Sequence, residues 1–311
     1  MKLNLNVLAA AALAAMAAGG AQAQLASAGS GTSAANAANG SLIFVALDSV
    51  GSPISFAANL NFNIASFLPT SAINGSDQTI VWDFVNNTIK QNNAVVAPPP
   101  ALQYGSVFDL FNNTANAGDI RWGVFAADNN GNATGTANNL ARRNLATTSL
   151  ADADTSSITN AKIGAATNIV NTFTVNSNAL AAPNTIQSGV GAQTASSGGA
   201  YVNESGGANL QANYGGQFSF DYLVKGNESA VFTLFTTAAS GTTPGAITPY
   251  SAIGSTGPQA STFAFDFNAG TLTWKTASVV AAVPEPETYA MMLAGLAAIG
   301  TIARRRNRKG A

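Results

Sequence analysis

The sequence STFAFDFNAGTLTWKTA, residues 261–277, has the alternating pattern from which we predict the fold. On both sides of Asn268-Ala269-Gly270, apolar residues alternate with small or polar ones: Phe263, Phe265, Phe267, Leu272 and Trp274. Alternation with a period of two places all of these apolar side chains on one face of a strand. The glycine-containing triplet is typical of a hairpin turn. The stretch therefore predicts two antiparallel strands that share one buried aromatic face.

Segments with similar composition recur through the chain and are separated by Gly, Pro, Asn and Ser. We predict strands in 41–48, 54–64, 79–85, 121–131, 168–175, 217–225 and 230–237, and about ten to twelve short strands in all. Residues 217–225 and 230–237 are predicted to form a second hairpin. An Ala- and Leu-rich interval, 136–165, predicts a short helix, and 86–106 and 176–216 are predicted to be long loops.

Many strands and few helices indicate a mainly β protein. We predict an antiparallel β-sandwich or jelly-roll-like body. A β-helix is the alternative, since Asn- and Gly-rich exported chains often form one, but the sequence shows no regular repeat of about 20 residues. We place this β-rich body at 41–280.

The N-terminus has the features of a secretory signal peptide. Lys2 precedes an apolar run over 7–18, and Ala21-Gln22-Ala23 matches the small-x-small pattern before a cleavage site. We expect signal peptidase to cut after Ala23, which makes 1–23 the signal peptide with an N-terminal signal helix. The small polar residues of 24–40 predict a flexible linker.

Charge is scarce in the body of the chain. Only 9% of the residues are charged, against roughly 25% in ordinary soluble domains. Residues 24–283 contain 7 Lys or Arg and 12 Asp or Glu, a net charge of −5. Because so few cations are present to neutralise phosphates, we expect no nucleic-acid partner.

The chain contains no His and no Cys. Disulfides, Ser-His-Asp and Cys-His catalysis and the usual His-containing zinc sites are therefore excluded. We predict that the protein is not an enzyme and has no cofactor, with calcium as the candidate exception.

Two polar clusters are candidate sites. Asp128, Asn130 and Asn132 place oxygen ligands around a glycine, as calcium loops do, although a polar turn between strands explains the same residues. Asp152 and Asp154 form a D-x-D pair that could serve glycoside hydrolysis as paired carboxylates. A solvated loop is the simpler interpretation of that pair.

Three tryptophans lie in predicted strands: Trp82, Trp122 and Trp274. If exposed, their rings could stack on sugars, which would make the body a carbohydrate-binding module. Tryptophans in strands more often pack in a core.

The last 31 residues differ from the body. Pro284 and Pro286 keep the segment around Glu285 extended. The uncharged residues 288–303 would form a transmembrane helix of about 24 Å, shorter than a hydrocarbon core of about 30 Å. The basic end 304–309 would keep the C-terminus cytoplasmic and the body outside; its cations are Arg304, Arg305, Arg306, Arg308 and Lys309.

Residues 283–311 resemble a PEP-CTERM sorting domain. The resemblance rests on four elements in order: Val283-Pro284-Glu285-Pro286, then 287–290 (Glu-Thr-Tyr-Ala), a short apolar helix and an arginine cluster. It implies a Gram-negative bacterium with an exosortase, a membrane protease-transpeptidase that recognises the motif. It also implies a link to exopolysaccharide or biofilm.

Taken together, these features predict an exported protein that is held transiently in the inner membrane with its body in the periplasm. Exosortase would then deliver it to the cell surface or extracellular matrix. We favour a structural or adhesive role linked to exopolysaccharide or biofilm. A carbohydrate-binding module of the same matrix is the alternative, and a carboxylate-dependent hydrolase is less favoured.

Overall fold

The computed structural model describes residues 25, 40–48, 50, 53–67, 78–95, 104–130, 142–151, 153–179, 192–198, 200–202, 214–218, 221–237, 244–249 and 261–276. The chain divides into two units, Met1–Ala277 and Ser278–Ala311, and every described residue lies in the first. The predicted signal peptide, linker, sorting motif, transmembrane segment and basic end lie outside the described residues, apart from Leu25 and Gly40 of the linker.

The described residues contain thirteen strands, all in one sheet. They are β1 Ser41–Asp48, β2 Ile54–Asn63, β3 Thr79–Asp83, β4 Thr88–Gln91, β5 Ala94–Val95, β6 Ile120–Asn130, β7 Arg142–Ser149, β8 Ala192–Ala195, β9 Val224–Lys225, β10 Ser229–Thr237, β11 Pro244–Pro249, β12 Thr262–Asp266 and β13 Thr271–Lys275. Three α-helices accompany them, α1 Ile64–Phe67, α2 Gly105–Thr114 and α3 Asn160–Asn178, and the described residues also include two short 3-10 helices, Ala117–Asp119 and Gly215–Gln217.

The sheet is antiparallel and curls into a half-barrel. Its strand order is β5-β4-β3-β13-β12-β10-β7-β6-β1-β2-β8, with β11 paired to β10 and β9 paired to β6. The prediction of a mainly antiparallel β protein is therefore confirmed. The described strands differ from a sandwich because they belong to one continuous sheet, and from a β-helix because neighbouring strands run in opposite directions.

The curl brings distant strands face to face around an inner core. Phe44 of β1 lies 4.8 Å from Phe265 of β12 and 5.1 Å from Phe84, which follows β3, as measured between ring centroids. These rings stand on the concave face of the same sheet. One sheet thus buries its aromatic face against itself, which is why its strands have the alternating pattern of a sandwich.

Helix α2 packs inside this curl. Phe108 and Phe111 both pack on Phe56 of β2, with ring centroids 5.4 and 5.8 Å apart. Just before the helix, the Tyr104 hydroxyl donates to the Asn59 carbonyl at 2.7 Å. The helix is therefore anchored to β2 by aromatic packing and by a fully buried hydrogen bond.

Helix α3 covers part of the convex side, where a second, outer core lies. The Thr159 hydroxyl caps its first turn by accepting from the Lys162 N–H at 3.3 Å. Its buried residues recur every three to four positions, and they include Ile163, Ala166, Val170, Phe173 and Ser177. That spacing directs one helical stripe toward the sheet.

The hairpin predicted at residues 261–277 is confirmed. β12 pairs with β13 in the register Phe263↔Trp274 and Phe265↔Leu272. The turn closes with a hydrogen bond from the Gly270 N–H to the Phe267 carbonyl, and Gly270 has a φ of +63°. Its carbonyl also accepts from the Phe84 N–H at 2.9 Å, which joins the turn to the end of β3.

Three local predictions were wrong. Residues 168–175, predicted as a strand, lie within α3. The interval 136–165, predicted to contain a short helix, contains strand β7 at Arg142–Ser149, and α3 begins only at Asn160. Residues 217–225 do not form the predicted hairpin with 230–237: among the described residues of that segment only Val224–Lys225 is a strand, and it pairs with β6.

The segments predicted as loops also contain regular structure. β4 and β5 lie within 86–106, where Asn92 and Asn93 take positive φ at the turn between them. β8 lies within 176–216 and pairs with β2. Asparagine tolerates the left-handed conformation better than other non-glycine residues, so an Asn-rich segment can still form a tight hairpin.

Candidate functional site

The three tryptophans are buried, so the hypothesis that they stack on sugars is wrong. Trp82 and Trp122 have no exposed surface and Trp274 is 3% exposed. All three belong to the inner core. An aromatic ring that binds a sugar must present one face to solvent, and none of these rings does so.

Two of the indoles also donate hydrogen bonds to backbone carbonyls. The Trp82 Nε1–H donates to the Leu60 carbonyl at 2.8 Å, which connects β3 to β2. The Trp122 Nε1–H donates to the Gly226 carbonyl at 2.7 Å. Each bond joins residues that are far apart in the sheet or chain, so these tryptophans have a structural role.

The four described tyrosines are also buried: Tyr104, Tyr201, Tyr214 and Tyr222. Burial raises the pKa of Tyr104, Tyr214 and Tyr222 above the ordinary value for tyrosine. Their hydroxyls therefore stay protonated and cannot act as bases. In the described part of the chain, tyrosine offers no exposed ring for carbohydrate stacking.

Among the predicted site residues, Asp128 has the most strongly shifted pKa. It lies near the end of β6, opposite Asn144 of β7, and its Oδ1 is buried with no hydrogen-bond partner. Burial raises the pKa of Asp128 to about 6. Desolvation penalises the carboxylate form, and a bound cation would offset that penalty.

The two other members of the predicted calcium loop add no described ligand. The backbone of Asn130 continues β6, opposite Arg142, while its side chain and the whole of Asn132 lie outside the described residues. Over the residues that the structure describes, no group of three or more His, Cys, Asp or Glu could hold a metal ion. The polar-turn interpretation also needs revision, since Asp128 belongs to a strand.

The predicted carboxylate pair is only half described. Asp154 is exposed, and its Oδ1 accepts from the Ser156 N–H at 2.9 Å in the turn before α3. Hydrogen bonds from the Ser156 side chain and backbone hold the pKa of Asp154 below its usual value. Asp152 lies outside the described residues. Asp154 thus stabilises a local turn in its ionised form.

Sequence reasoning missed one large feature, which we name the open face. It is the convex side of β4, β3, β13 and β12, together with the first residues of β10. Its residues alternate along each strand with buried ones, as in β12 and β13, where Phe263, Phe265, Leu272 and Trp274 point into the inner core. The signal that could have found it is the set of polar residues between those aromatics.

Strand register arranges the open face in three rows. The acidic row contains Thr88, Asp83, Thr271 and Asp266. The middle row contains Lys90, Val81, Thr273, Ala264 and Ser229. The basic row contains Thr79, Lys275, Thr262 and Val231. The open face therefore combines hydroxyl groups, small apolar groups and charges of opposite sign at its two ends.

The sorting residues Val283, Pro284, Glu285 and Pro286 and the basic end lie outside the described residues. Within the described part, no helix is long and apolar enough to cross a membrane. The cleavage residues Ala21 and Ala23 are likewise outside it.

Comparison with protein families identifies the C-terminal segment. Residues 282–309 match the family model described as the PEP-CTERM protein-sorting motif. Residues 282–309 thus carry a PEP-CTERM sorting motif, which implies export and membrane-associated processing and is consistent with exosortase as the processing partner. No curated protein and no solved structure gives a significant match to the chain.

Proposed function

We propose that this chain is a structural or adhesive protein of the cell surface or extracellular matrix. Its sorting tail would hold it transiently in the inner membrane, with the β-rich body in the periplasm, until exosortase removes the tail. The body would then act in the exopolysaccharide or biofilm matrix without catalysing a reaction.

The observation that carries this proposal is the sorting motif at residues 282–309. A processing enzyme needs an extended substrate segment, and Pro284 and Pro286 favour an extended backbone on either side of Glu285. The short apolar stretch that follows suits temporary use, because a permanent span of about 20 residues would be harder to release.

The interior of the body supports a structural role. Half-barrels and barrels that bind small molecules keep a cavity inside the sheet. Here that space contains the chain's own rings, with Phe44, Phe84 and Phe265 stacked or tilted at 4.8–6.4 Å between centroids. The interior of the sheet is thus filled by packed side chains, which supports a structural role rather than the binding of a small molecule inside the sheet.

The surface chemistry supports the same role. The described residues contain one salt bridge, from Arg121 Nη1 to Asp221 Oδ2 at 2.7 Å. Since few charges are present, folding depends little on ionic strength. A protein exposed to changing salt outside the cell benefits from that independence.

The sorting step is tested by replacing Pro284, Glu285 and Pro286 with alanine. We expect the variant to stay uncleaved in the inner-membrane fraction, while the wild-type protein loses its arginine tail. Intact-mass measurement of both proteins reads out the cleavage. The matched control replaces three prolines of the body, 98–100, and should be processed normally.

If the mature wild-type protein keeps residues 304–309, the proposed processing is wrong. If the alanine variant is still cleaved, recognition does not depend on the Pro-Glu-Pro segment.

The structural role is tested separately, in a strain that lacks the gene. We expect the matrix of that strain to detach at lower shear, and wild-type protein to restore its strength. The uncleaved alanine variant should not restore it. If the deletion strain keeps a normal matrix while processing proceeds as above, the structural role is wrong and sorting still holds.

A further inference from the structure

We propose that the open face is a self-association surface, on which a second copy of this chain packs sheet against sheet. This inference deepens the structural role proposed above. It is tested with purified protein, so its failure would leave the sorting step untouched.

The apolar residues of the open face have no partner in either core. Val81, Ala264 and Val231 are partly exposed and belong to neither the inner nor the outer core. They alternate with residues of the same strands that are fully or almost fully buried. A sheet with one buried and one partly apolar face is a surface onto which another sheet can pack.

The dimensions of the open face fit a weak interface. Five strands at about 4.8 Å spacing make a face about 20–24 Å wide, and the acidic and basic rows are four residues, or about 14 Å, apart. That footprint is smaller than the standard area of about 800 Å² per partner. An interface of this size is weak, so it forms to a useful extent only where many copies are concentrated together, as in a matrix.

The arrangement of charge favours a second copy as the occupant. Asp83 and Asp266 lie in the acidic row, whereas Lys275 lies in the basic row at the other end of the same strands. A two-fold axis that runs across the strands places the acidic row of one copy over the basic row of the other. The middle row lies on that axis, so Lys90 of β4 faces Lys90 of the second copy, which is one like-charge contact against two contacts between opposite charges. Such an isologous contact uses the same patch on both copies.

Strand order makes this match specific. β13 lies between β3 and β12, and Thr271 of β13 pairs with both Asp83 and Asp266. In the two-fold arrangement, Lys275 of one copy faces Thr271 of the other, between those two carboxylates. The same contact forms twice, once from each copy.

Asp266 is the more accessible of the two acidic residues. Asp266 is exposed, while Asp83 is 8% exposed and accepts hydrogen bonds from Asn86. Asp266 also accepts from the Ala269 N–H at 3.0 Å. Because the carboxylate is held in place by the turn, little side-chain entropy is lost when it meets a lysine.

The first experiment is cross-linking of the full chain in a mild detergent. Equal amounts of ¹⁴N- and ¹⁵N-labelled protein are treated with a carbodiimide, which joins an amine to a carboxylate with no spacer. We expect a Lys275–Asp266 link between light and heavy chains. Within one copy these residues stand at opposite ends of the hairpin, beyond the reach of such a link.

The second experiment is sedimentation velocity with charge-reversed variants. Lys275→Glu and Asp266→Lys should each raise the dissociation constant at least about tenfold, because like charges then face each other. The double variant should recover most of the wild-type affinity. The matched control, Asp109→Lys, makes the same charge change at an exposed position of α2 and should leave association unchanged.

Circular dichroism checks that each variant is folded, and the wild-type cross-link does not depend on any variant. The inference is wrong if no intermolecular link forms at Lys275, or if the double variant is no better than the single ones. It is also wrong if Thr273→Arg abolishes binding to insoluble glucan and leaves sedimentation unchanged, because the open face would then bind glycan.

Discussion

Replacing Gly270 with alanine should destabilise the body more than any other single-methyl change that we propose. Gly270 closes the β12–β13 turn with a φ of +63°. A Cβ at this position would lie 2.6 Å from Val85 Cγ2 and 2.7 Å from Phe108 Cε1. The substitution therefore adds backbone strain and a steric overlap at the same point.

The magnitude follows from these two terms. A non-glycine residue in the left-handed region costs about 1–2 kcal/mol, and overpacking a core typically costs about 1–3 kcal/mol. Val85 is 43% exposed and can move aside, but Phe108 is fully buried among other rings. We expect a total loss of about 2–4 kcal/mol, or a Tm lower by about 5–15 °C for a body of this size.

The two terms can be separated with two other glycines. Gly198 also has positive φ, +79°, but no atom lies within 4 Å of its Cβ position, so alanine there should cost only the backbone term. Gly216 has neither feature, and alanine there should be neutral or slightly stabilising. Urea denaturation followed by tryptophan fluorescence measures all three, since the described tryptophans are buried.

Gly216→Ala should be the most stable of the three variants, Gly198→Ala should be less stable, and Gly270→Ala should be the least stable. If Gly270→Ala costs no more than Gly198→Ala, the contact between the turn and Phe108 does not constrain the fold. The account of how the hairpin joins α2 would then be wrong.

Two further substitutions test buried polar groups. Asp128→Asn removes a carboxyl whose pKa is raised to about 6 in the folded state, so the wild-type protein loses stability as the pH rises from about 4 to 6. The urea midpoint of the variant should equal that of the wild-type protein at pH 3.5 and be higher at pH 7. Equal midpoints at both pH values would contradict this reasoning. Tyr104→Phe removes the buried hydrogen bond to the Asn59 carbonyl and should cost about 1–3 kcal/mol in urea denaturation. A cost near zero would show that the carbonyl finds another donor.

The hairpin at 261–277 could be predicted because everything that specifies it is local. Its alternation and its turn residues lie within 17 positions, and the register places Phe263 and Phe265 on one face as expected. The curl of the whole sheet could not be predicted in this way. It depends on contacts such as Phe44 with Phe265, which are more than 200 residues apart.

Helix α3 shows where residue type misleads. Residues 168–175 are rich in Val, Ile, Thr and Phe, which favour strands. The buried positions of the segment instead follow a helical spacing, and the Thr159 cap begins the helix eight residues before the segment starts. Burial against the outer core outweighs a propensity difference that is about 1 kcal/mol across the whole scale.

The candidate sites also differ in whether local sequence or long-range pairing specifies them. A sorting enzyme reads an extended peptide, so its signal is linear and can be found from residues 283–286 alone. The open face is different, because Thr271 and Asp83, which lie side by side in its acidic row, come together only through the pairing of β13 with β3, nearly 200 residues apart. The residues of that surface can be identified only once the strand register is known.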